Sequence, residues 1–463
     1  MKQDKKTAEE TLRDEIDRCR GCDVCRTLLD GSCHVFPELF RLLDREVESR
    51  DKIDTDDLSH LVELCNFCGQ CPCFSFKAAV LNAKTEFKAR YGLGLRIKAI
   101  EDVERVGKLS SAIPRLSNFL SRSKVARELL EKAVGIHKDR KIPSFPKESF
   151  SEWIERPRNT IKARIKEKRV AYFAGCTARY FFPEVAKSVV EVFEKNGIEI
   201  HHVEHRCCGM PSLLEGDRNL ALELARINLA SLVELVNEGY DIVCSCPTCS
   251  YMLRNVLKEG AYCSSEYMDF SVSGDGLMKI PLSDGSSQID VAYSTAFKSI
   301  FEGLIKDEGF FCSISPKVRI SVAENTYDVG EYLWTLHTTG ELDTNLGPIT
   351  VNTAYYPPCH LREQQIGKPY QNLLSLIPGV SMNVIEGLYC CGNAGIMGFK
   401  REFHRLSIRI AGRLITKIKA LNPDVLATDC LSCRIQFNQL TPYKVMHPIE
   451  LIKESYRNYQ EQT

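Results

Sequence analysis

The sequence lacks a charge surplus of either sign, since 61 basic residues are matched by 61 acidic ones. With no net field to draw a polyanion, overall charge gives no support to a nucleic-acid partner, and none is expected. It also lacks any run of eighteen consecutive apolar residues, so no segment reads as a membrane-spanning helix. The opening MKQDKKTAEETLRDE is polar where a secretory signal would be apolar. The expected location is cytoplasmic, or peripheral on the inner face of a membrane through a partner. No G-x-G-x-x-G follows a strand pattern and no Walker loop occurs, so electrons are expected to enter from another protein.

What the chain has in abundance is cysteine, 21 among 463 residues. A reducing compartment keeps thiols unpaired, so this number reads as metal ligands or redox groups. Eight lie in the first eighty residues, as Cys19-x2-Cys22-x2-Cys25 followed by Cys33 and Cys65-x2-Cys68-x2-Cys71 followed by Cys73. Each triplet is a near-copy of the bacterial ferredoxin motif, in which three thiolates wrap three corners of an iron–sulfur cube and the fourth ligand comes from the other motif. The crossed assignment gives Cys19, Cys22, Cys25 and Cys73 to one cubane [4Fe-4S] cluster and Cys65, Cys68, Cys71 and Cys33 to a second. Local ligation stays open, because the gaps before the fourth cysteines are seven and one rather than the usual three. Structural zinc is the competing reading, but it gains nothing from a third cysteine three residues on.

Two later groups repeat one plan. Cys176, Cys207-Cys208-Gly209 and Cys246-x2-Cys249 are followed by Cys359, Cys390-Cys391-Gly392 and Cys430-x2-Cys433, with first members offset by 183, 183 and 184 residues. That constancy marks an internal duplication. In the first copy a β-rich run, VAYFAG, precedes a helical FPEVAKSVVEVFEKNG; then IEIHHVEH, a longer helix and DIVCSC follow. Strands alternating with helices predict parallel α/β units, whose strand ends converge on a crevice, giving one five-thiol pocket per repeat. The expected fold class is thus α+β: a small helical two-cluster ferredoxin-like domain (1–95), a helical connector and basic linker (96–169), a first repeated α/β unit (170–280), and a connecting segment with the second (281–463). Five thiols exceed by one what a simple cube or a tetrahedral zinc site uses.

The pattern Cys-x30-Cys-Cys-Gly-x36/37-Cys-x2-Cys resembles the CCG cysteine-rich domain of the heterodisulfide reductase family. With the twin ferredoxin motif, the layout is similar to D-type heterodisulfide reductase subunits and, more closely, to the iron–sulfur subunits of anaerobic glycerol-3-phosphate dehydrogenases. VGKLSSAIPRLSNF, EKAVGIHKDRKIPSFPKESFSEW, YYPPCHLREQQIGKP, CCGNAGIMGFK and MHPIELIKESY carry the likeness further. The resemblance implies up to two non-cubane [4Fe-4S] clusters at the two five-cysteine sets, with zinc as the alternative. It implies an electron-transfer subunit of an anaerobic oxidoreductase, relaying between a flavoprotein or ferredoxin-type partner and a quinone or disulfide acceptor. Its rival is a catalytic subunit that cleaves a disulfide at Cys390 and Cys391, with His360 offering a proton or hydrogen bond; a zinc scaffold ranks third.

Other residues have plainer readings. Cys244, on the same strand face as Cys246, is read as a buried thiol before an alternative ligand, Cys263 and Cys312 as buried structural residues, and Lys400 and Arg401 as solvated helix surface before neutralisers of cluster or substrate charge. Residues 108–126 are basic with apolar residues interspersed; packing on the ferredoxin domain is preferred there to a membrane-surface or quinone-module contact.

Overall fold

The computed structural model describes residues 6–29, 31–156, 168–264, 266–267, 277–281, 287–292 and 306–462. The expected linker at 156–169 therefore falls almost wholly outside the described residues. Strand β1 (Arg169–Phe173) is buried along VAYF, the continuous burial of a strand covered on both faces. It pairs in parallel with β2 (Glu199–His202) and β3 (Asp241–Cys244). After a short antiparallel ribbon, β4 (Leu277–Pro281) with β5 (Gln288–Ala292), strand β6 (Thr326–Asp328) returns to pair in parallel with β3. The first sheet has the order β2-β1-β3-β6. Its fourth strand thus comes from beyond residue 280.

The second sheet is built from β7 (Val351–Tyr355), β8 (Val380–Val384), β9 (Val425–Ala427) and β10 (Lys444–Met446), all parallel, in the order β10-β9-β7-β8. With β7 set on β1, β8 on β2, β9 on β3 and β10 on β6, the two sheets have one topology. Parallel pairing needs crossovers, supplied by helices such as Pro183–Lys195, Arg218–Asn237 and His404–Leu421. The units share one core: helix Pro183–Lys195 packs on the last helix, Pro448–Gln462, and buried residues of both sheets form a single cluster. His447 Nε2–H donates to the Ser245 carbonyl at 2.9 Å, and Asn196 Nδ2 to the Tyr456 hydroxyl at 3.3 Å.

The described residues between 6 and 95 are helical and hold a separate core that includes Phe36, Leu39, Leu61, Phe76 and Phe87. Thr7 with Glu10 and Asp54 with Asp57 form capping boxes that start helices Ala8–Cys22 and Thr55–Glu63. A buried ion network clamps this domain onto both repeats. Lys400, after the turn Met397–Phe399, pairs with Glu215 at 2.8 Å and with Glu63 at 3.8 Å; Lys84 donates to the Leu214 carbonyl at 2.7 Å and lies 3.6 Å from Glu63. Lys400 is therefore not solvated surface: the turn points it into the junction of three units, where its side chain is 4% exposed. Arg401 is exposed.

Burial alone would raise the Glu63 carboxyl, but Lys84, Lys400 and Lys88 hold it at about 2, below its ordinary 4.5. Its stabilising share is present above the unfolded value and is lost as pH falls through the folded one. Lys400→Met leaves buried carboxylates short of a cation, so a loss of about 3–5 kcal/mol is expected by urea denaturation near neutral pH. The acid-induced loss in the variant should begin at higher pH than in the parent.

Candidate metal centre

The helix Ala8–Cys22 delivers Cys19 and Cys22, and Asp23, at φ 55°, turns the chain so that Cys25 enters the next helix, Val24–Leu28. Burial and then repulsion from Cys25, Cys73 and Cys22 push Cys19 up to about 12, so these four thiols share one neighbourhood. Cys22 and Cys73 are exposed. Cys33 belongs with the later triplet: Cys71 is raised by burial, Cys65 and Cys33, and Cys68 by burial, Cys33 and Cys359. Cys25 also acts on Cys71, so the two sets adjoin. The second set continues into the second repeat, because Cys68 acts on Cys390 as well and Asn66 Nδ2 lies 3.9 Å from Cys390 Sγ.

In the repeats every cysteine element sits just past the carboxyl end of a strand. Beyond β1, Gly175 at φ 76° starts the short helix carrying Cys176; beyond β2 comes Cys207-Cys208; beyond β3, Cys246 caps helix Pro247–Tyr251, which holds Cys249. Cys359, Cys390-Cys391 and Cys430 with Cys433 follow β7, β8 and β9 in the same way. Cys176 Sγ is 3.4 Å from Cys207 Sγ. Cys208 contacts Cys207 and Cys249, and Cys391 contacts Cys390 and Cys433. Cys246 contacts Cys249 and, across the repeats, Cys430.

All ten thiols consequently line one cavity of about 600 Å³. The expectation of one pocket per repeat is corrected: the two sheets turn their carboxyl ends toward each other, so the crevices merge at the Cys246–Cys430 contact. Sequence separation within a repeat could not show this, because the merger depends on how two sheets dock. Among the described residues, no three His, Cys, Asp or Glu side chains are disposed to hold a single metal ion. The thiols perturb one another strongly. Cys208 is held down to about 6 by hydrogen bonds from Cys207 and Cys249, whereas Cys359 is pushed up to about 12 by burial and by Cys391. Buried thiols that repel one another as anions become stable thiolates together only when bonded to cations, which suits an iron–sulfur cluster.

Two segments, residues 170–254 and 353–438, match the family model of the CCG cysteine-rich domain. The chain carries two CCG domains. Among proteins similar to it, a subunit of the anaerobic glycerol-3-phosphate dehydrogenase of Escherichia coli is 25% identical over 364 residues, 78% of this chain and 77% of the relative. A subunit of the CoM/CoB fumarate reductase of Methanothermobacter marburgensis is 23% identical over 298 residues, 62% of this chain and 46% of the relative. An uncharacterised iron–sulfur protein of Methanococcus maripaludis is 22% identical over 311 residues, covering 66% and 48%. Twin CCG domains in such company support an iron–sulfur electron-transfer role. No helix among the described residues is long and apolar enough to cross a membrane.

Around the CCG thiols the structure places one residue already named from the sequence, His360, and adds another, Arg140. His360 is buried with both ring nitrogens engaged: Nε2–H donates to the Phe67 carbonyl at 3.0 Å, which leaves Nδ1 to accept from the Thr248 hydroxyl at 3.0 Å. It ties the Cys65–Cys71 turn to both CCG domains, and this geometry makes it a positioning residue. Arg140, 1% exposed, donates to Gln436 and, at 2.8 Å, to Asn393 Oδ1, placing a buried cation near Cys391. It lies in the connector, 251 residues from that thiol, with only the likeness carried by EKAVGIHKDRKIPSFPKESFSEW to mark its neighbourhood. Cys244 and Cys263 are buried and outside the cavity; Cys312 is exposed, not buried as expected.

The glycine after each double cysteine has a backbone cause, since Gly209 and Gly392 lie at φ 90° and 81°. A Cβ on Gly392 would collide with the Ser407 carbonyl oxygen, whereas one on Gly209 would meet nothing closer than 3.8 Å. Gly209→Ala is therefore expected to cost about 1–2 kcal/mol, the left-handed penalty alone. Gly392→Ala, which must also displace backbone of helix His404–Leu421, should cost clearly more; thermal unfolding of the two variants side by side checks the difference.

Proposed function

We propose that the chain is the iron–sulfur relay subunit of an anaerobic oxidoreductase complex, with four cluster sites in series. The observation that carries this reading is the unbroken succession of thiol groups from the surface to the cavity. It begins at exposed Cys22 and Cys73, passes from Cys25 to Cys71, and from Cys68 to Cys359 and Cys390. It ends where Cys430 meets Cys246 of the other CCG domain. Cubane [4Fe-4S] clusters at the two N-terminal sets and non-cubane ones at the two five-cysteine sets would supply one-electron transfer along this path.

The protein's own residues hold the series in register. His360 keeps the Cys65–Cys71 turn against the CCG cavity, and the Lys400 network fixes the N-terminal domain to both repeats. A redox partner, flavoprotein or ferredoxin-like, would dock at the exposed end, where Val24 and Leu28, 52% and 50% exposed, flank Cys25. Disulfide cleavage at Cys390 and Cys391 is the second reading, supported by the open volume that both five-thiol sets face.

Protein purified without oxygen should hold about sixteen irons per chain and no zinc. The double variant Cys390→Ala/Cys391→Ala should fall to about twelve and lose one paramagnetic species. About eight irons with zinc in the parent would replace the relay with a zinc-clamped scaffold.

A further inference from the structure

Resting on the relay reading, we infer that Arg140 and Arg362 set the order in which the two CCG sites take electrons. An electron arriving from the N-terminal thiol sets rests first at the second site, Cys359 with Cys390, Cys391, Cys430 and Cys433. The step moves one electron: the N-terminal donor set is oxidised, the second CCG set is reduced, and no bond or proton changes place.

The duplication supplies its own control. Arg179 and Arg362 stand three residues after Cys176 and Cys359, so they are one position of the repeat. Both donate to a backbone carbonyl beside the double cysteine, Arg179 Nη1 to His205 at 2.7 Å and Arg362 Nη2 to Tyr389 at 3.0 Å. Their surroundings then part. Arg179 faces Glu104, a buried carboxylate of helix Val103–Ala112, at 3.5 Å. Arg362 gives its other bond to the Pro357 carbonyl at 3.0 Å and, among the described residues, meets no carboxylate. Burial tends to lower Arg362, yet Tyr356, Cys359 and Cys390 raise it on balance, so this cation lies within reach of two thiols of the second set.

The connector, which is not duplicated, widens the difference. On the first copy Glu104 also accepts from the Cys207 amide at 2.6 Å and from Arg206 Nε at 3.0 Å, and Asp102 lies 3.5 Å from Arg206. Two guanidiniums thus meet two carboxylates there, and local charge cancels. On the second copy the connector brings Arg140 instead. Its bonds go to the neutral side-chain amides of Gln436 and Asn393, its Nε is buried with no partner, and among the described residues no carboxylate reaches it. Arg127, 5% exposed, fixes this segment by donating to the Arg140 carbonyl at 2.7 Å. Burial draws Arg140 down to about 10, far enough above neutral for it to remain a cation. Glu363, four residues after Cys359, is matched by Lys77 at 2.8 Å and does not offset it.

Two cations without counter-charges beside the second thiol set, against balanced ion pairs beside the first, favour added negative charge at the second. Buried charges are screened far less than surface ones, and net charge around the sulfurs is one of the quantities that set a reduction potential. A buried guanidinium is costly without an anion, so the thiolates of the second set are also the counter-ions of Arg140.

The test is a potentiometric titration of holoprotein purified without oxygen, followed by paramagnetic resonance at low temperature. Cys390→Ala/Cys391→Ala identifies the second-site signal by its loss, and Cys207→Ala/Cys208→Ala the first. The second-site signal should titrate at the higher potential. Arg140→Gln and Arg362→Gln should each lower its reduced-to-oxidised ratio at fixed potential about tenfold, a shift of about 59 mV for one electron, with iron content unchanged. Arg140→Lys, which keeps the charge, should retain most of the parental potential. Glu104→Gln, which deprives Arg179 and Arg206 of a counter-charge, should raise the first-site potential and narrow the gap, a readout that stands even where an arginine variant sheds iron. Equal potentials, the reverse order, or a second-site potential indifferent to both arginine variants overturns the inference. Equal shifts in Arg140→Lys and Arg140→Gln overturn it too, since hydrogen bonds rather than charge would then be at work. Iron absent from the CCG sites of the parent would instead sink the relay reading, a separate result.

Discussion

Ten thiols forced into one buried space set the terms for the rest of the molecule. Each is a potential anion in a region of low polarity, and at Cys359 and Cys390 neighbouring thiols add to the cost of ionising that burial imposes. Such a crowd is stable as thiolates only around metal, so folding of the CCG domains and loading of the site become linked. The protein answers with rigid supports: parallel strands whose ends carry the cysteines, glycines at positive φ beside them, and a shared core that keeps the two sheets from separating.

The same constraint explains the position of the N-terminal domain. The proposed relay needs its stations near one another, yet its cysteine sets lie on different folding units. Two buried devices close that gap without consuming thiols. His360 bridges the Phe67 carbonyl and Thr248, joining three segments through one neutral ring, and Lys400 sits among carboxylates of the N-terminal domain and the first repeat. Both come from the second CCG domain, so the half of the duplication nearer the N-terminal thiols also holds that domain in place.

The duplication is symmetric in topology but not in surroundings. Tyr172 bonds Ser245 in the first CCG domain at 2.9 Å, and Tyr355 bonds Asp429 at the matching place in the second at 3.0 Å. Arg140 stands by Cys391, whereas Glu104 receives the Cys207 amide at 2.6 Å. Two copies of one cysteine set thus experience different fields, which in the proposed relay would distinguish its last two stations.

The sequence by itself determined that thiols dominate this protein, that they fall into two triplets and two five-membered sets, and that the later sets repeat in parallel α/β units. Spacing along a strand or turn is local, and local geometry decides which sulfurs can share a site. It did not determine that the two five-membered sets share one cavity, that Lys400 is buried, or that Arg140 stands beside the thiols. Those depend on how sheets dock and on which helices cover them, interactions between residues hundreds of positions apart that leave no periodic trace in the chain. Only the tertiary structure could decide them, because it alone brings the ends of two separate sheets face to face.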